Sequence, residues 1–121
     1  MNYDELGRSL GLPPTDPFVV RWRDLDADSV SDELERLADW VKWVADRYGM
    51  DHKVIPLCWN AHGAVVEELS ALRTFWEYCF QDDAAPSDPL AFHRDLTLAV
   101  RRLREWTSLL GCTRTQNRGQ P

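Results

Sequence analysis

Three runs of apolar residues that step by threes and fours occupy most of the chain between Ser29 and Leu110, and they commit it to helices. In the first run Val30, Leu34, Leu37, Val41, Val44 and Tyr48 step by 4, 3, 4, 3 and 4, which keeps them on one face of an α-helix. Val65, Leu69, Leu72, Trp76 and Cys79 repeat that stepping, with Phe75 and Phe80 widening the stripe. Phe92, Leu96, Ala99, Leu103, Trp106 and Leu110 form the third stripe. Helix punctuation agrees with these runs. Asp28, Ser29 and Ser31 are cap candidates for the first helix and Gly49 its stop. The segment Asp82 to Pro89 reads as a loop, with Asp88 and Pro89 as cap and first turn of the third helix, which Gly111 ends.

Amphipathic helices of similar length joined by modest loops pack most simply as an all-α, antiparallel three-helix bundle, here spanning residues 29–112. Residues 1–28 read as an irregular N-terminal arm, broken by Pro13, Pro14 and Pro17. Its β-prone run Phe18 to Trp22 is expected to lie extended across the helices. Residues 113–121 read as a flexible tail.

A chain of 121 residues is one domain by length, large enough to bury a core without disulfides. Three scattered Cys residues and the lack of a charged-then-apolar leader point to a reducing cytoplasm. No apolar run approaches the roughly 20 residues that span a bilayer, so no membrane role is expected. Charge is uneven: residues 1–92 hold 8 Lys and Arg against 18 Asp and Glu, while residues 93–121 hold 6 against 2. The acidic bulk argues against a non-specific duplex binder, which needs a broad cationic face.

The densest chemistry lies between the first two helices, where Val54, Ile55, Pro56, Leu57, Cys58, Trp59, Asn60, Ala61 and His62 lead into the second. In an up-down-up bundle the end of the first helix, the start of the second and the end of the third share one pole. His52, Cys58, His62 and Cys112 belong there, and two thiolates with two imidazoles are what a closed structural zinc site uses. The alternative is a packed elbow in which Cys58 and Trp59 plug the bundle end and His62 caps the second helix. His93 starts the third helix while Cys112 follows its end, so both cannot bind one ion. Cys79 falls in the core stripe as a small hydrophobe. A nucleophilic Cys58 and His62 pair would need an orienting third group and an oxyanion site, and the sequence offers neither, so no catalytic residue is assigned.

The residues Ile55, Pro56, Cys58, Trp59 and His62, continuing through Val66, Glu67, Glu68, Leu69, Ser70, Ala71, Leu72 and Arg73, carry a resemblance. Phe92, His93, Leu103, Arg104, Glu105, Trp106, Gly111 and Cys112 extend it, so that it covers roughly residues 35–115. The pattern resembles a family of small actinobacterial proteins of unassigned function encoded by phages, plasmids and conjugative elements. That family typically carries Pro where this chain has Gly63. The resemblance implies a mobile-element accessory protein and transfers no catalytic or binding residue.

Two surfaces are candidates for a partner. Trp43 lies more than about 100° from the centre of the first helix's apolar stripe. It either anchors a protein partner or is covered by the Phe18 to Trp22 segment. On the outer side of the third helix Leu98 and Leu109 flank Arg101, Arg102 and Glu105, a face suited to a homodimer or a second protein. The basic end formed by Arg101, Arg102, Arg104, Arg114 and Arg118 gives the competing expectation, a nucleic-acid-associated regulator. The leading expectation is a non-enzymatic interaction module with a protein partner.

Overall fold

The structure, a computed structural model, describes residues 17–111. Three α-helices, numbered in chain order, carry the fold: α1 (Ala27–Tyr48), α2 (Gly63–Cys79) and α3 (Asp88–Leu110). Short 3-10 turns at Trp22–Asp24 and Trp59–Ala61 precede α1 and α2, and no strand is present among the described residues. The fold class is therefore an all-α three-helix bundle. Residues 1–16 of the arm, Cys112, and the tail with Arg114 and Arg118 lie outside the described residues.

Local chemistry explains the helix ends, with two shifts from expectation. Asp28, Ser29 and Ser31 lie inside α1, and the cap is Asp26, whose Oδ1 accepts the Ser29 backbone N–H at 2.8 Å. An acceptor there satisfies one of the orphan donors of the first turn. Gly49 ends α1 in the left-handed region at φ 67°, a conformation that costs an L side chain but not glycine. Ser87 occupies the cap position of α3. Asp88 is already helical, and its Oδ2 accepts the Ala85 N–H at 3.0 Å, tightening the preceding turn.

The core is the junction of the three stripes. Leu37, Val44, Val65, Leu69, Phe92 and Leu103 are essentially sealed from solvent, and Val54, Ile55 and Pro56 join them from the α1–α2 connection. Cys79 is fully buried, and desolvation pushes its thiol pKa up, as befits a packed small hydrophobe. Two stripe positions differ from the sequence reading. Trp106 is 39% exposed, and Thr107 is buried in its place. Four residues beyond Leu103, Thr107 stays on the inner face and donates its hydroxyl to the Val54 carbonyl at 3.3 Å. Phe80 falls just past the end of α2 and is half-exposed.

α2 and α3 form the antiparallel pair. Glu68 near the start of α2 meets Arg102 far along α3, and Phe75 near the end of α2 meets Phe92 near the start of α3, ring centroids 6.4 Å apart. The end of α1 corrects the shared-pole expectation. Tyr48, its last residue, lies against Phe92 and His93 in the first turns of α3, not against the end of that helix. Trp40 and Trp43 likewise reach Trp76, near the end of α2. The connection from Gly49 to His62 then has to travel to the far end of α3, where Val54 meets Thr107. His93 and Thr107 are separated by about 21 Å of continuous helix. A connection of this length can make the crossing, which a short turn could not.

Candidate functional site

Residues 51–62 form a built elbow. Asp51 turns the chain: its carbonyl accepts from the Val54 and Ile55 N–H groups, both at 3.0 Å, and its Oδ1 from the Lys53 N–H at 3.0 Å. Val54, Ile55 and Pro56 are driven into the core, and the 3-10 turn Trp59–Ala61 hands the chain to α2. Cys58 and Trp59 are half-buried, and Trp59 packs against the core. His62 is buried at the cap position of α2, where its carbonyl accepts the Val66 N–H at 3.0 Å. His52 is half-buried on the turn before them. Among the described residues no three or more His, Cys, Asp or Glu side chains are grouped to hold a metal ion. Of the four candidate zinc ligands, Cys112 lies outside the described residues.

A second constellation is aromatic, and only Trp43 of it was singled out from the sequence. Trp43 stacks obliquely on Trp76 with centroids 5.1 Å apart, and Trp76 stacks on Phe80 at 5.8 Å. Trp43 also meets the edge of Tyr48 at 6.4 Å. Tyr48 in turn meets Phe92 at 6.1 Å and His93 at 5.7 Å. Trp43 and Phe80, the residues at the two ends of the row through Trp76, are each 42% exposed. The indole N–H groups of Trp40 and Trp76 are buried with no acceptor among the described residues, so ring packing holds this row together. Nearest-neighbour spacing on one helix reveals Trp43, but Phe80 and His93 join it only because the ends of α1 and α2 and the start of α3 converge.

The Phe18 to Trp22 segment does not provide the expected cover for Trp43. Residues 17–20 run along α2, where the Phe18 carbonyl accepts the Thr74 hydroxyl at 3.1 Å. Pro17, Val19 and Val20 face Ser70, Ala71 and Tyr78 across a groove of about 380 Å³. Trp22 is half-buried against the core, and Trp43 keeps its exposed edge.

On the outer face of α3, Leu98 is 44% exposed and Leu109 80%. Arg101 is exposed. Arg102 is engaged by Glu68 of α2 through Nε and, at 3.4 Å, through Nη2. Hydrogen bonding and charge from Glu68 raise the pKa of that guanidinium further. The basic end is therefore partly neutralised within the fold.

Fold and site together define a small three-helix protein with an exposed aromatic row at one corner and a mixed apolar and charged face on its last helix. No family model matches the chain, and no curated protein or solved structure matches it either. No helix among the described residues is long and apolar enough to cross a membrane.

Proposed function

We propose that the chain is a non-enzymatic helical protein-interaction module, an accessory or adaptor protein of a phage or conjugative element. The genomic context rests on the sequence resemblance alone. The interaction reading rests on one observation: Trp43, 42% exposed on a well-packed helix, continues through Trp76 to an equally exposed Phe80. Aromatic residues held rigidly by neighbours and open on one edge are the usual anchors of protein interfaces, since they bury large area at small entropic cost.

The test is capture of partners from an extract of the host with the tagged protein and with Trp43→Ala and Phe80→Ala. Both variants are expected to fold and to lose the same captured protein. Retention of every captured protein by both variants would sink the reading. Low-salt binding to RNA or duplex DNA that weakens in Arg101→Ala would favour the nucleic-acid alternative instead.

A further inference from the structure

The outer face of α3 carries a second seam besides the one that faces the core. Leu98, Arg102, Glu105 and Leu109 step by 4, 3 and 4, which places them within about 60° of one another around the helix. All four are exposed, Leu109 to 80%. Their order is apolar, basic, acidic, apolar, and this order is self-complementary. When two copies of α3 lie antiparallel across a twofold axis between Lys-free positions 103 and 104, Leu98 of one faces Leu109 of the other. The same operation sets Arg102 opposite Glu105, twice. Any twofold contact repeats each pairing in this way, so one surface satisfies itself.

We infer that this face is a self-association surface and that its occupant is a second copy of the chain. The charge pattern selects that partner and that direction. In a parallel pairing Arg102 would face Arg102 and Glu105 would face Glu105, a like-charge arrangement at both central positions. Arg102 arrives pre-positioned, because Glu68 holds its guanidinium through Nε and Nη2 while its side chain remains 52% exposed. Leu98 and Leu109, about 16 Å apart along the helix, close the two ends of the contact over apolar area. One helix face per partner is a small interface, so association is weak, with a Kd expected in the range of roughly 10 to 500 μM. The surface is separate from the aromatic row, and the inference stands whether or not that row binds a partner.

Sedimentation equilibrium up to about 1 mM protein, a range chosen for so small an interface, tests it. The wild-type chain is expected to approach twice its 14.0 kDa mass. Leu109→Glu and Glu105→Arg are each expected to stay monomeric with unchanged helical circular dichroism, and Trp43→Ala to associate like wild type. Arg102→Glu and Glu105→Arg, each monomeric alone, are expected to associate when mixed, since the mixed pair restores both opposite-charge contacts. A wild-type monomer throughout that range would overturn the inference. Undiminished association of Leu109→Glu and Glu105→Arg would do so equally, even should Arg102→Glu fail to fold beside Glu68.

Discussion

The hydroxyl of Tyr48, at the end of α1, stands 3.1 Å from Nε2 of His93 in the second turn of α3. These residues are 45 positions apart, and their contact ties the end of α1 to the start of α3. It acts beside the burial of Leu37, Trp40, Val41 and Val44, which seats the rest of α1 in the core. The ring of Tyr48 does further work by meeting Trp43, Phe92 and His93.

Replacing Tyr48 by Phe keeps those ring contacts and removes the hydrogen bond. The expected loss is small, about 0.5–1 kcal/mol, because the bond is partly open to water. Tyr48→Ala removes the edge contacts as well and should cost clearly more, since aromatic pairs contribute about 0.5–1.5 kcal/mol beyond area. Urea unfolding followed by tryptophan fluorescence checks both. A Tyr48→Phe effect as large as that of Tyr48→Ala would show that the bond, not the ring, positions α1.

Thr107 poses the opposite case, a polar group deep in the core. It is 4% exposed, and its hydroxyl donates to the Val54 carbonyl of the elbow. Thr107→Val preserves shape and strips that carbonyl of its side-chain donor. The expected destabilisation is about 1–3 kcal/mol, the cost of leaving a buried acceptor unmet. Thr107→Ser, which keeps the donor and loses a methyl, is expected to cost less. Thermal unfolding ranks the pair, and the reverse order would mean that methyl packing outweighs the bond.

Asp26 gives the fold a pH-dependent element. The Ser29 backbone N–H, and then its side chain, hold the Asp26 carboxyl below its ordinary value of 3.8. The folded-state pKa is thus lower than the unfolded one, so the unfolded chain binds the proton more readily. The cap's contribution is complete above the ordinary value and is lost as pH falls through the lower, folded value. Asp26→Ala should therefore unfold at a lower temperature than wild type near neutrality. The gap between them should hold from neutral pH to about pH 5 and narrow only below pH 4. A gap that widened on acidification would refute the cap assignment.

Helix existence was legible because each stripe repeats at helical spacing over four or more turns, and the glycines at 49 and 111 mark two stops without competition. Cap identity was not, because Asp26, Asp28, Ser29 and Ser31 crowd one stretch and only backbone geometry decides which accepts. Trp106 and Thr107 both fit the stripe within one residue. The choice between them depended on Val54 offering an acceptor from another segment. The same limit applies to the candidate surfaces. Trp43, Leu98 and Leu109 follow from angles on single helices. The aromatic row through Phe80 and the Glu68 partner of Arg102 depend on how helices far apart in sequence are set against each other.

Gly63 opens α2, at the helix position where proline is over-represented. Its φ is not in the left-handed region, and a Cβ added to it would meet nothing within 4 Å. Nothing in the described fold therefore requires glycine at this position. Proline suits the first helical residue, where the N–H has no intrahelical acceptor. It also demands an extended residue before it, and His62 has φ −120° and ψ 109°, close to that requirement. Gly63→Pro is expected to stabilise the protein by about 0.4–1 kcal/mol by reducing the freedom of the unfolded chain. Gly63→Ala should act in the same direction through the same loss of freedom. Chemical denaturation of the three proteins measures the order. Destabilisation by Pro with stabilisation by Ala would mean that the Gly63 N–H, or the turn from Trp59 to His62, has a role that the helix geometry alone does not require.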